Sequence, residues 1–334
     1  MASREPINFE FKAVQTENLE RFTEMAELCF GLTNFSPTYF KWKYLDNPAG
    51  PVVAFEALHE GKPAGFYGVI PEHYIINGER VKIYQSMDTM THPNYQKRGL
   101  FTRLATMTYD RCAEIDGGVN LVGIAGSNSL HGLLKLNWKN IHQFEYFFVQ
   151  RTWFNARNLL QKKPAVRCEA VTEMTEALRD YFQRRERSLK PISNDISADF
   201  INWRVFLNTY KDFKVLQLLD GDTIVGICVY NLDEKGRCLI HLLDFAQQEM
   251  FKAYTAAMVD CLFEATCSRY VYTWKPLNPN MLHGYSACGF YVNPFQRGPF
   301  SYRVPFVVRH QGAKIGTADW FDPNNFDLQP LMQD

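Results

Sequence analysis

Apolar and polar positions alternate over residues 9–14 with the period of two expected of a strand. A helical stretch follows, with Asn18 as its cap and its end near Phe30. Ser36 opens a second, short helix that carries Trp42. Residues 52–58 and 64–70 read as strands around a turn at Glu60-Gly61. Asn77-Gly78 lies between the β-like runs 74–76 and 81–84, a strong hairpin signal, and the second run continues towards Met90. A helix is expected from Gly99 to about Ile115, because Phe101, Leu104, Ala105, Thr108 and Cys112 fall on one face. Residues 120–125 read as a buried strand. Ser127 or Asn128 starts another helix, and a strand over 144–149 closes the unit.

This order of elements recurs. Ser36, Trp42 and Lys43 match Ser197, Trp203 and Arg204 at an offset of 161, and Gly65 matches Gly226 at the same offset. Asn128, Leu130, His131 and Gly132 match Asn280, Leu282, His283 and Gly284 at an offset of 152, and Trp138 then matches Phe290. The second copy is therefore nine residues shorter between its central glycine and this segment (161 minus 152). The pattern predicts a tandem duplication. A first domain covers 1–150, a linker 151–165, a second domain 166–310 and a tail 311–334, with Trp320 and Phe321 as anchors. Trp42 and Trp203 recur in both halves and read as core packing.

Composition narrows the function classes. The chain has 334 residues, with 36 basic and 36 acidic side chains, so no basic excess marks it as a nucleic-acid binder. No apolar run is long enough to span a bilayer, and the first residues lack the apolar core of a secretory signal. None of the eight cysteines forms a CxxC pair, so a zinc site has no support. Most of them, Cys112 included, sit in apolar stretches and read as small core residues. This usage points to a reducing, cytoplasmic setting.

The chemistry concentrates in one loop. A strand ends at Thr91, His92-Pro93 breaks it, and Lys97, Arg98 and Gly99 lead directly into an amphipathic helix. The first amides of a helix lack internal partners, and its dipole favours negative charge there. With a glycine for close approach and two bases beside it, a pyrophosphate is the natural ligand. An ordinary strand-to-helix turn with solvated bases is the competing reading.

The run Gln96 to Phe101 resembles motif A of the GNAT N-acetyltransferase superfamily. Gln96 and Gly99 match, and Phe101 departs from the usual small residue. The segment from Asn128 to Trp138 is similar to that superfamily's motif B. The second version, Asn280 to Gly289-Phe290, lies nearer the family pattern. Residues 39–44 and Asn47-Pro48 look like acyltransferases found near polysaccharide and amino-sugar genes.

The resemblance implies a mixed α/β fold of tandem GNAT-like copies, the N-terminal one binding cofactor and the C-terminal one degenerate. Two parallel strands, over 81–91 and 120–125, would splay apart. The pantetheine arm of acetyl-CoA or another acyl-CoA would insert there, and no metal is implied. Met90, Thr91, Gln96, Lys97, Arg98, Gly99, Leu100, Phe101 and Asn128 are the implied cofactor contacts, although Asn128 also suits a helix cap. The implied reaction is direct attack by a primary amine of a small molecule, an amino sugar nucleotide by analogy. Asp88 is the candidate base, weighed against a structural role. The family's motif B tyrosine is replaced by Leu133, which leaves His131 as candidate acid, although His283 repeats it in the half without the loop. Tyr285 is the candidate acceptor contact, on a cleft between the halves. A Fem-like aminoacyl transferase and a non-catalytic acyl-CoA-binding module are the alternatives. Oligomeric state is not legible.

Overall fold

The structure is a computed structural model, and it describes residues 7–15, 17–31, 35–160, 164–295, 297–312 and 318–333. The chain divides into two compact units. One comprises 1–73, 81–141 and 305–315, the other 74–80, 142–304 and 316–334.

The first unit is built on strands β1 (Glu10–Ala13), β2 (Val53–His59), β3 (Lys62–Ile76), β4 (Glu79–Thr91) and β5 (Val119–Ile124), hydrogen-bonded in that order. The hairpin between β3 and β4 turns at Asn77-Gly78, where both residues have positive φ (51° and 87°), as a tight two-residue hairpin requires. The strand Arg303–Gln311 completes this sheet antiparallel to β5, with Phe306 opposite Ile124. The sequence assigned that strand to the second copy. Its alternation identifies a strand but says nothing about which neighbour it pairs with.

Four helices flank the sheet: α1 (Phe22–Phe30), α2 (Pro37–Tyr44), α3 (Leu100–Asp116) and α4 (Ser127–Lys135). Ser36 caps α2 by accepting from the Tyr39 amide, as expected. Helix α1 begins four residues later than its expected cap, because a turn closed by the Phe22 amide on the Leu19 carbonyl precedes it; Asn18 does not cap it. Leu104, Ala105, Tyr109 and Cys112 of α3 pack on Tyr67, Leu121 and Trp138 in the core.

The second unit's sheet runs β6 (Lys139–Gln150, from His142 onward), β12 (Tyr270–Trp274), β11 (Cys238–Phe245), β10 (Thr223–Leu232), β9 (Lys214–Asp220) and β7 (Arg167–Val171). The short β8 (Ile192–Asn194) pairs with residues 74–76 and with Phe326–Asp327. Residues expected as a linker form helix α5 (Arg151–Asn158), whose Phe154 is buried against Phe263; residues 161–163 of that stretch lie outside those described. Then come α6 (Glu176–Arg184), the short α7 (Ala198–Ile201), α8 (Met250–Thr266) and α9 (Pro279–Ala287). Ser197 caps α7 through the Phe200 amide, as Ser36 caps α2. Trp320 is buried against Phe326, whereas Phe321 is exposed.

Cysteine usage departs from the sequence reading at one pair. Cys168 and Cys261 are joined by a disulfide, 93 residues apart. Spacing alone could not reveal it, because the pair forms only when the edge strand β7 meets α8.

Candidate active site

Strands β4 and β5 run parallel, but they pair only where Tyr84 faces Leu121 and Gln85 faces Val122. Beyond this fork they separate, and a cavity of about 850 Å³ opens between them. Ser86, Met87, Asp88 and Thr89 line one side; Gly123 to Gly126 line the other.

At the far end lies the basic loop. His92 accepts from the Asn94 amide through Nδ1 and so closes the short 3-10 turn Pro93–Tyr95. Lys97 has φ 62° and Gly99 φ 79°, a left-handed kink that starts α3 at Leu100. A Cβ at Gly99 would meet nothing within 4 Å, so the space over the first amides of α3 is open. The first amides of the helix, its dipole and the Lys97 ammonium together would suit an anion, and this start of α3 is called the anion cradle below.

Most of the sequence-derived contacts converge here. Thr91, Gln96, Lys97, Gly99, Leu100, Phe101 and Asn128 all line the cavity. Met90 is buried, and neither it nor Arg98 is among the lining residues. Asn128 is not a cap: Gly126 holds that position, with α4 starting at Ser127. The Phe101 departure has a steric counterpart. A Cβ on Gly132 would sit 2.7 Å from the Phe101 ring, so the large residue on α3 is matched by a missing one on α4.

Two expected roles are overturned by position. His131 is exposed on α4 and is not among the lining residues; the cavity face of that helix carries Asn128, Ser129, Gly132 and Leu133. Tyr285 is fully buried in the second unit's core, packed on Phe147 and Phe290, so it is a packing residue.

Asp88 lines the cavity in an unusual backbone conformation, φ 45°. Its Oδ2 accepts from the Tyr44 hydroxyl (2.8 Å) and from Lys43 Nζ (2.7 Å). The Tyr39 hydroxyl reaches both oxygens, at 3.1 and 3.3 Å, and itself accepts from Lys43 (2.7 Å). Sequence reading placed Asp88 but missed this cluster. The signal was there: Tyr39 and Lys43 stand four apart on a helix and so share a face.

Sequence reading also missed Leu28, Cys29 and Phe30, which bring the end of α1 to the cavity. Burial pushes the Cys29 thiol up, and the thiol donates to the Thr91 carbonyl, so it is no ready thiolate nucleophile.

Residues 10–138 match the acetyltransferase (GNAT) domain family. Over these residues the chain is similar to that family. The basic loop and the fork both fall within the matched residues.

The whole chain also resembles solved structures. One is a conserved protein of unknown function from Enterococcus faecalis, described as a probable N-acyltransferase (TM-score 0.67, 10% identity, covering 91% of this chain and 73% of that one). Another is a tandem GNAT protein from the clavulanic acid biosynthesis pathway (TM-score 0.56, 11% identity, 93% of this chain and 100% of that one). A third is N-myristoyltransferase from Saccharomyces cerevisiae with bound myristoyl-CoA (TM-score 0.59, 10% identity, 97% and 85%). At these identities the likeness is one of fold. No curated protein matches the sequence significantly. Among the described residues, no group of three or more His, Cys, Asp or Glu is placed to hold a metal ion, and no helix is long and apolar enough to cross a membrane.

Proposed function

We propose that the protein transfers an acyl group from acyl-CoA to a primary amine of a small molecule, with the donor held by the first unit. The observation that carries this reading is the fork between β4 and β5, continuous with the anion cradle at the start of α3. From Thr91 to Ser86 is five residues, roughly 17 Å at the rise of a strand, which gives an extended arm room between cradle and fork. The pyrophosphate rests on the α3 amides beside Lys97. The pantetheine arm lies along Met87 to Thr91 and bonds to the backbone groups that β5 leaves free. Its thioester then stands near Asp88.

Asp88 takes the proton that the attacking amine gives up. The Lys43 and Tyr44 bonds occupy Oδ2, while Oδ1 accepts one long bond from Tyr39, so Oδ1 is the oxygen placed to receive it. The second unit binds no donor in this reading. The acceptor class is a small primary amine, and an amino sugar nucleotide is the first candidate to assay.

A second reading, a non-catalytic acyl-CoA-binding module, is favoured by one observation: buried Leu133 lines the cavity where related enzymes carry a tyrosine. Incubation with acetyl-CoA and a panel of amines separates the two. Thiol release coupled to an acetylated amine by mass spectrometry supports transfer; tight CoA binding with no turnover on any amine supports the module.

A further inference from the structure

The leaving thiolate needs a hydrogen-bond donor, and neither His131 nor Leu133 supplies one. A different donor stands at the fork. Ser86 is the first β4 residue beyond the last paired position, Gln85, and it lines the cavity. Its Oγ lies 2.8 Å from the Tyr67 hydroxyl, which lies 2.7 Å from the Tyr109 hydroxyl. Tyr109 in turn accepts from the Trp138 indole nitrogen at 2.9 Å.

One direction gives the indole proton and both phenol protons an acceptor within this chain. Indole N–H only donates, and each hydroxyl has one proton. Trp138 donates to Tyr109, so the one acceptor left among Tyr109's partners is the Tyr67 oxygen. In that arrangement Tyr67 donates to Ser86. The Ser86 oxygen is satisfied from behind, and its own proton is directed away from the network. Tyr67, Tyr109 and Trp138 are all buried, so no water competes for these bonds. Burial also pushes both tyrosine hydroxyls up, that of Tyr109 to about 12, so they stay protonated.

We infer that Ser86 is a catalytic hydrogen-bond donor to the thioester sulfur as it becomes a thiolate, with Tyr67, Tyr109 and Trp138 as positioning residues that aim it. The inference rests on the acyl-transfer reading above. As the amine nitrogen bonds to the carbonyl carbon, the carbonyl π pair moves onto oxygen. Collapse restores the carbonyl and breaks the C–S bond, whose pair leaves on sulfur. The amine's proton goes to Asp88, and the thiolate is held by the Ser86 O–H. A preorganised donor aimed at developing charge in a water-poor site contributes more than the same bond in water.

Ser86→Ala should lower kcat roughly 10²-fold, the usual loss of one such donor, while CoA affinity stays within about twofold. Ser86→Thr should restore most of the rate. Replacing the thioester's alkyl thiol by a more acidic aryl thiol should shrink the Ser86→Ala loss, because that leaving group needs less help. A binding readout stands apart from turnover. The thiol of bound CoA, followed by thiolate absorbance, should titrate roughly one pH unit higher in Ser86→Ala, since a donor to the charged form favours it. Tyr67→Phe serves if Ser86→Ala fails to fold, and should move both readouts the same way. Full kcat, or an unshifted thiol titration in a folded Ser86→Ala protein that still binds CoA, overturns the inference. Failure of the unaltered protein to bind CoA would instead overturn the acyl-transfer reading.

Discussion

Lys43 Nζ and the Asp88 carboxylate form a 2.7 Å ion pair, the lysine buried and the aspartate at the edge of the cavity. A buried ammonium is costly unless paired, and a carboxylate beside it is held in a fixed place. The pair ties α2 to the strand that ends in the anion cradle. Asp88 thus has a structural role beside the chemical one proposed for it, and substitutions separate them.

Asp88→Asn keeps the side-chain shape and removes the proposed base. Turnover should fall roughly 10²-fold or more, with CoA affinity little changed. Lys43→Met removes the partner instead and leaves the aspartate without its cation. That carboxylate stands at the cavity edge, so the cost in chemical denaturation should be smaller than for Asp88→Asn, which leaves the buried ammonium without its anion and should destabilise the fold by about 3–5 kcal/mol. Full Asp88→Asn activity across pH 6 to 9 would return Asp88 to a purely structural role.

At Gly99 the backbone and the ligand make separate demands. Its φ of 79° is left-handed, so Gly99→Ala should cost roughly 1–2 kcal/mol of stability. The open space above it would accept the methyl group. Gly99→Glu adds bulk and negative charge where pyrophosphate is proposed to sit, and calorimetry should then find no CoA binding in a folded protein. Unchanged affinity would sink the cradle assignment.

The parts legible in the sequence were those set by local chemistry. The Ser36 cap, the Asn77-Gly78 turn and the break at His92-Pro93 depend on neighbours a few residues away, and the structure places them as expected. The parts that were not legible depend on partners distant in sequence. The pairing of 306–311 with β5 joins residues 182 to 192 positions apart (306 minus 124, 311 minus 119), and the Cys168–Cys261 bond spans 93. His131 and Asn128 differ by less than one helical turn, yet one faces solvent and the other the cavity. That choice is made by how α4 packs, with Leu133 inward. Ser86 looked like an ordinary strand residue, because its meaning comes from Tyr67, 19 residues earlier.

Buried thiols and phenols give the fold an alkaline limit. Burial pushes Cys112 and Cys288 up to about 12, and pushes Cys228 well above its ordinary value. Tyr109 is pushed up to about 12. Above pH 9 the unfolded chain loses thiol protons that the folded chain keeps, so it binds fewer protons and stability falls as pH rises. Below pH 9 these groups are neutral in both states and contribute no slope. Thermal melts should therefore be flat in this respect from pH 7 to 8.5 and drop between pH 9 and 11. Cys112→Ala should flatten part of that drop; an unchanged slope would mean the thiol is not held neutral.

One CoA per chain is the last expectation, and the second unit supplies its reasons. There too two parallel strands separate: β11 and β12 pair only at Cys238 with Val271 and Leu239 with Tyr272. The chain's own segment fills this opening. Gln329 Oε1 accepts from the Leu243 amide at 2.8 Å, so an amide carbonyl occupies a position where a pantetheine amide would bond. Asp327 accepts from Asn278 at 2.8 Å, and Phe326–Asp327 pairs with Ile192 and Ser193. Arg204, the counterpart of Lys43 in the repeat, donates to the Leu331 and Gln333 carbonyls and anchors the same segment. The turn at 246–249 has neither glycine nor base, and Glu249 stands at the start of α8, where its charge would repel a pyrophosphate. Calorimetry should therefore give a stoichiometry near one. In Gln329→Ala the Leu243 amide should exchange faster by hydrogen exchange, because its acceptor is gone. Even so, no second CoA should bind, since an anion cradle would still be missing. A second equivalent in the unaltered protein, or one site that survives Gly99→Glu, would place the donor in the other unit.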